Sequence, residues 1–421
     1  MAWWRSIWLC NLSFLLAVAA TGVDYNGYRV YRLEPKTRLQ VDQVIALETE
    51  FDFWKECRSI GQPCDVIVSG EQNNDLLQYL QDREVPHSIM IGDVGQLILE
   101  QEIERAARIS SKHRDLDFDY GVYHTLADIE QWMVDIEDAY PDLLESFHVA
   151  TSYEGREIRA FKISTGTTEK PKIWLDGGIH SREWVAIANM LYMTNEIVSQ
   201  YGVDPEVTAI LDEVDIYLLP VFNVDGYEYT WTADRFWRKT RSINDDFPSC
   251  VGCDPNRNFD VNWGMNGTSS NPCSDLYPGP SPFSEIEVRM VADYIAGLFD
   301  VRALIAYHSY GQMYMTPYGF TYEYPPDFED QMEACNKGNE ALYAVHGMEY
   351  TCDTLINLVG PNSGSSADYT YTALKIKYSF GAELRDKGQF GFVLPDNQII
   401  PTGEENWAFF KAFARHVIDD V

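Results

Sequence analysis

The sequence predicts an α/β protein in which a small antiparallel α/β unit precedes a larger domain built on a mixed, mostly parallel sheet flanked by helices. Three observations carry this expectation. From about Tyr123 onward, apolar runs of strand length alternate with helical stretches, the order that builds a largely parallel or mixed sheet. Residues from about 24 to 100 show shorter strand and helix patterns separated by turns, as in a separate, smaller unit. Between them lies "EQEIERAARISSKHRDLD", a charged stretch expected to begin as a helix and end as a loop.

The elements follow in order. The first residues carry one Arg (Arg5), an apolar run from Ile7 to Val18, and the small residues Ala19, Ala20, Thr21 and Gly22, the pattern of a signal peptide over residues 1–22. That run is too short for a membrane anchor, and no later segment approaches the roughly 20 apolar residues a span requires. The expected product is secreted, extracellular and free of the membrane. Over residues 23–114, "YRVYRLEP", "FDFWKECR", "CDVIVSG" and "HSIMIGDVG" read as strands, with helices in "RLQVDQVIALETE" and "NNDLLQYLQDRE". The basic residues Arg105, Arg108, Lys112 and Arg114 of the following stretch suit an exposed, protease-sensitive junction. Over residues 115–421, "KIWLDGG", "VDIYLLPVFN", "RALIAYHS" and "KYSFGAEL" have the continuous apolar character of strands buried on both faces. Helical patterns separate them, in "LADIEQWMVDIEDAY", "WVAIANMLYMTNEIVSQY", "SEIEVRMVADYIAGLF", "DQMEACNKGNEALYAVHG" and "NWAFFKAFARHVIDD".

Composition excludes some functions. The net charge of −33, from 65 acidic against 32 basic residues, repels nucleic acid and anionic lipid. Beyond Cys10 in the leader, seven cysteines remain, and an oxidising compartment favours the sequence-local pairs Cys57–Cys64, Cys250–Cys273 and Cys335–Cys352. Cys253 is then left over, with Cys253–Cys273 as the alternative pairing; a zinc ribbon at Cys250-x-x-Cys253 lacks a second ligand pair. Asn266-Gly-Thr268 is a glycosylation sequon.

Candidate chemistry begins at "KIWLDGGIHSREW". The spacing His180-x-x-Glu183 proves little by itself, since it recurs at His346-x-x-Glu349. His346 lies at the end of a helical pattern, where an imidazole serves as a cap. His180 instead follows a buried strand and a glycine turn, so it stands at the strand's carboxyl end, where α/β sheets carry their ligand sites; Glu183 is expected in the first turn of the next helix. His308 and Glu383 end two further apolar strands. Each alone is more simply a hydrogen-bonded core residue, but together they imply a site. Two imidazoles and one carboxylate are the ligand set of a catalytic zinc with an open position, and a further carboxylate, Glu383, would act as base. Arg238 in "FWRKTRS" and Asn256-Arg257 in "DPNRNFD" add groups suited to binding a carboxylate.

With "HSREW", "FWRKTRS", "DPNRNFD", "HSYGQMYMTPYG" and "KYSFGAELRDKGQFGFVLPDNQIIPT" in one order, the chain from Phe118 onward resembles the zinc metallocarboxypeptidases of the pancreatic digestive type. The resemblance implies that family's fold, preceded by a ferredoxin-like activation propeptide that covers the active site, and a zymogen cut near Arg108, Lys112 or Arg114 by a trypsin-like protease. It implies one zinc ion per chain on His180, Glu183 and His308, with Glu383 as general base and Arg238 stabilising the oxyanion. Asn256, Arg257 and Arg182 match groups that hold the substrate's terminal carboxylate. Ser309, Tyr310, Ala367 and Gly381 fall at substrate-binding positions, Asp254 at the acid that orients a zinc-bound His, and Cys250 and Cys273 at the family's disulfide. One departure stands out: the family's mobile loop Tyr is missing, with Gly360 nearest its place. Ala367 and Gly381 leave a wide, neutral pocket, so the expected substrates are peptide and protein C-termini ending in aromatic or large aliphatic residues, cleaved by a monomer. The alternative is a catalytically impaired peptide-binding homologue.

Overall fold

The computed structural model describes residues 22–111, 118–166 and 168–420. The leader's apolar run, Lys112, Arg114 and the boundary between residues 114 and 115 lie outside them.

The N-terminal unit is a four-stranded sheet in the order β2-β3-β1-β4. Its strands are β1 (Arg29–Leu33), β2 (Asp52–Lys55), β3 (Cys64–Val68) and β4 (His87–Ile91), and every pairing is antiparallel. Because side chains alternate along a strand, the sheet has two different faces. Tyr31, Leu33, Phe53, Val66 and Val68 pack with Val44, Leu76 and Leu80 of the helices Arg38–Ile45 and Asn73–Asp82. The intervening residues Val30, Trp54, Ile67 and Ile91 pack instead on Phe236, Tyr310, Phe392 and Val393 of the larger domain. On that second face Asp65, fully enclosed, accepts from Arg32 Nε (2.7 Å) and from Tyr310 Oη (2.6 Å). A buried carboxylate survives there because both oxygens are satisfied.

The larger domain holds an eight-stranded sheet in the order β11-β10-β12-β9-β7-β8-β6-β5. The strands are β5 (Leu144–Thr151), β6 (Glu157–Ile163), β7 (Lys172–Gly177), β8 (Asp215–Leu219), β9 (Val301–His308), β10 (Met313–Thr316), β11 (Thr351–Thr354) and β12 (Tyr378–Glu383). The centre, β8-β7-β9-β12, is parallel, and the edges carry the antiparallel pairs β5-β6, β6-β8 and β10-β12. Strands β7 and β8 are buried along their whole length, as their uninterrupted apolar runs require.

Two helices show how local sequence sets their ends. Leu126–Ala139 starts on a capping box between Thr125 and Asp128, and Phe328–His346 stops at Gly347 in the left-handed region. Helix Trp184–Gln200 is buried from Trp184 to Leu191, because it runs beneath the site in the main core with Ile399–Asp419. His346 lies in the last turn of its helix and pairs with Glu404 Oε2 at 2.7 Å, a structural contact away from β7 and β9. The three sequence-local disulfides are present, and Cys253 is unpaired and buried.

Docking of the N-terminal unit rests on Trp54, whose ring meets Phe236 at 4.7 Å and Phe392 at 5.1 Å. Trp54→Ala is expected to cost about 3 kcal/mol of that packing, read as a lower thermal unfolding midpoint of the intact chain; an unchanged midpoint contradicts this account of the docked face.

Candidate metal centre and active site

Register places the candidate residues at one level of the sheet. In the parallel neighbours β7, β9 and β12, Gly177 lies opposite Tyr307 and Glu383 opposite His308. His180 follows β7 after Gly178 and Ile179. Glu183 is the N-cap residue of helix Trp184–Gln200, one position earlier than expected, and its side chain makes no capping hydrogen bond. Its carboxylate turns to the imidazoles instead: Oε1 lies 2.8 Å from His180 Nδ1, and Oε2 lies 3.1 Å from His308 Nδ1.

The two Nδ1 atoms are 3.1 Å apart, and all three side chains are buried. This spacing fits zinc, since bonds of about 2.0–2.1 Å in tetrahedral geometry set neighbouring ligand atoms about 3.3 Å apart. Proton accounting agrees. His180 Nε2 lies 3.1 Å from Asp254 Oδ1, so the ring proton is assigned there and the Nδ1 lone pair faces a carboxylate and a second imidazole. A cation at the centre resolves that clash. Burial pushes Glu183 up, but His180 and His308 outweigh it and hold the carboxylate well below its usual range. Glu183 raises His308 against the effect of burial.

Asp254 ties this triad to the arginines. Its Oδ1 also accepts from Asn256 N (2.9 Å), and its Oδ2 accepts from Arg238 Nε (3.1 Å) and Nη2 (2.8 Å). Against its complete burial, Arg238, Arg257 and His180 keep Asp254 ionised. Asn256 Oδ1 accepts from Ser366 N at 2.9 Å, and Arg257 Nη1 donates to Asn256 O at 2.9 Å. Glu383 differs: its Oε2 is closed off from solvent with no hydrogen-bond partner, and burial followed by the nearby Glu183 charge raises its pKa.

One cavity joins His180, Glu183, His308, Glu383, Arg238, Asn256, Arg257, Ser309, Tyr310, Ala367 and Gly381. Asp254 stands behind its wall. Arg182 is not brought to it: the fully enclosed guanidinium donates to Asp275 Oδ2 (3.0 Å) and lies 3.4 Å from Phe53 O of the N-terminal unit. The apolar lining adds Met313, Met315 and Leu355, which sequence reasoning did not single out.

Sequence reasoning also missed how far the N-terminal unit enters the cavity. Lys55, Glu56, Arg58 and Gln62 line it. Glu56 sits in the field of Arg238, Arg58 and Arg257, which hold its carboxylate low despite burial. Arg58 and Gln62 belong to the loop closed by Cys57–Cys64, and Gln62 Nε2 reaches Leu358 O at 3.4 Å. Gly360 explains part of this fit. A Cβ there would lie 2.5 Å from Arg58 Cβ, and its φ of +85° is one that side-chain-bearing residues rarely adopt.

Fold and site together define a single-zinc peptidase carrying its own plug. A zinc carboxypeptidase family model matches residues 129–409, and a carboxypeptidase activation peptide model matches residues 31–101. The chain belongs to the zinc carboxypeptidase family: it is a carboxypeptidase A-like zymogen, a hydrolase of the exopeptidase class, with its activation peptide in place. It is 42% identical over 397 residues to carboxypeptidase A2 of Mus musculus, spanning 93% of this chain and 94% of that one. It is 39% identical over 415 residues to carboxypeptidase A1 of Mus musculus, spanning 97% and 98%. Among solved structures, thrombin activatable fibrinolysis inhibitor matches with a TM-score of 0.85 at 33% identity over 93% of this chain and 99% of that one. Carboxypeptidase A from Helicoverpa armigera matches with a TM-score of 0.85 at 26% identity over 94% and 99%.

Asp254→Asn removes the charge that orients His180 and pairs with Arg238. It is expected to weaken zinc affinity about 10–100-fold, measured by chelator competition; undiminished affinity contradicts the orienting role.

Proposed function

We propose that the chain is a secreted carboxypeptidase zymogen, with a leader over residues 1–22, an activation peptide over 23–114 and the enzyme over 115–421, that acts as a monomer on C-termini ending in aromatic or large aliphatic residues. A trypsin-like protease would open it at Arg108, Lys112 or Arg114. The observation that carries the catalytic reading is Glu383: a closed-off, unpaired carboxylate oxygen beside two imidazoles and a carboxylate is costly unless it has work with a proton.

His180, Glu183 and His308 would hold zinc, which when bound would supply Lewis acidity and lower the pKa of water. Asn256 and Arg257 bind the substrate's terminal carboxylate, Arg257 as a charged fork and Asn256 as a donor. Arg182, released from Phe53 O when the activation peptide leaves, becomes an outer contact for the same charge. The terminal side chain enters the pocket of Met313, Met315, Leu355, Ala367 and Gly381, with Ser309 and Tyr310 on its approach. Tyr310 is free for this only once its bond to Asp65 is broken. Arg238 donates to the carbonyl oxygen as negative charge develops there. Glu383 takes a proton from the attacking water and returns it to the leaving amine.

Pocket chemistry supports the substrate class. Glu183 and Glu383 are the only acids that the catalytic domain contributes to the cavity lining among the described residues, and both have other roles. A Lys or Arg side chain would therefore be buried without a partner. The impaired-homologue alternative is not favoured, since His180, Glu183, His308, Glu383 and the arginines converge on one cavity.

After tryptic activation, Glu383→Gln is expected to retain zinc and lose about 10²–10⁴-fold in kcat/KM on a Phe-ended peptide; near-normal turnover contradicts the assignment. In the parent enzyme, a base with a raised pKa is protonated and idle at low pH, so kcat/KM falls as pH drops through a midpoint above the ordinary carboxylate range. Phe-ended peptides should be cleaved faster than Lys-ended ones, and the reverse order contradicts the neutral pocket.

A further inference from the structure

The sequon Asn266-Gly267-Thr268 plays no part in the reaction, yet it stands beside the substrate cavity. Met265 N donates to Asn262 O (3.2 Å) and Thr268 Oγ1 donates to Met265 O (2.7 Å), closing a tight turn. At its tip Met265 is 63% exposed, and Asn266 is exposed with the activation peptide docked.

The next residue faces the other way. Gly267 lines the cavity, and its carbonyl accepts from Arg257 Nε at 3.1 Å. A Cβ at Gly267 would lie 2.1 Å from Pro361 O, so the turn is pressed against the loop that carries Gly360. One peptide bond therefore separates the solvent-facing Asn from the cavity wall.

We propose that Asn266 carries an N-linked glycan that guards the rim of the substrate cavity, admitting short or flexible C-terminal tails and holding off folded protein surfaces. The inference rests on the secreted reading, because the modification belongs to the secretory route. The Asn266 amide nitrogen attacks the anomeric carbon of a lipid diphosphate-linked oligosaccharide. A C–N bond forms, the amide loses one proton, and the lipid diphosphate leaves with the electron pair of the broken C–O bond. Glycine at the middle position leaves the sequon usable, as proline would not. The attached sugar is bulky and hydrated, and its anchor adjoins the Arg257 wall and the Pro361–Asn362 segment, so it takes up space over that side of the entrance. A tail of a few residues passes it, whereas a folded domain close behind the scissile bond meets it.

The full chain, expressed through a eukaryotic secretory route, provides the test. Expected results are a leader-free product in the medium, a mass decrease on treatment with peptide N-glycosidase, and conversion of Asn266 to Asp in the peptide map. The parent and Thr268→Ser should carry the sugar, and Asn266→Gln and Thr268→Ala should lack it. After tryptic activation, the sugar-free forms should cleave a folded protein bearing a short Phe-ended tail several-fold faster in kcat/KM, with a blocked Phe-ended dipeptide unchanged. A secreted product with Asn266 unmodified overturns the inference. So does a glycan whose removal leaves both substrates unaffected, or changes both alike. Retention in the cell with the leader uncut overturns the secreted reading itself, and this inference with it.

Discussion

A single buried carboxylate, Asp254, holds the active site together. One oxygen fixes the His180 proton on Nε2 and anchors Asn256 N; the other accepts twice from Arg238. It caps the short helical turn Pro255–Arg257, so the local conformation of "DPNR" aims three functional side chains at once. Asp254 turns to the metal ligand behind the wall, while Asn256 and Arg257 turn to the cavity. The Cys250–Cys273 disulfide ties down the segment leading into this turn. A buried ion stays charged only where partners replace water, and here Arg238, Arg257 and His180 outweigh the loss of hydration. The same carboxylate therefore fixes both the His180 ring and the Arg238 guanidinium, one on each oxygen.

The activation peptide uses the second face of its sheet as a lid. Alternation along β1, β2 and β3 lets the unit keep its own core and still offer Val30, Trp54 and Ile67, joined by Ile91 of β4, to the enzyme. The loop closed by Cys57–Cys64 then carries Arg58 and Gln62 into the cavity, while Glu56 meets the field of Arg238, Arg58 and Arg257. Gly360 is part of the same device, because any side chain there would run into Arg58.

Much of this was legible in the sequence, for identifiable reasons. Strands β7, β8, β9 and β12 were readable because burial on both faces leaves unbroken apolar runs. His180, His308 and Glu383 were readable because each ends such a run where a core residue would be expected. The local disulfides followed from short separations in an oxidising compartment, and His346 from its place in a last helical turn. Other features depend on contacts that no local pattern encodes. Arg182 sits in the site's own motif, yet its guanidinium is enclosed by Asp275 and Phe53 O, one of which comes from the other unit. Glu183 occupies the cap position without capping, since two imidazoles compete more strongly for its carboxylate. The entry of Glu56 and Arg58 into the cavity requires knowing how the two units dock. The alternation of Val30, Arg32, Asp65 and Ile67 with residues of the unit's own core was the one signal pointing to a second working face.

Peptide-bond hydrolysis by this chain depends on one zinc ion held by His180, Glu183 and His308. The most direct measurement is metal content of the trypsin-activated protein, taken in parallel with release of the terminal residue from a Phe-ended peptide, before and after chelation and zinc replacement. One zinc per chain is expected, with turnover lost on chelation and restored with the metal. Turnover without stoichiometric zinc, or stoichiometric zinc without turnover, would contradict it.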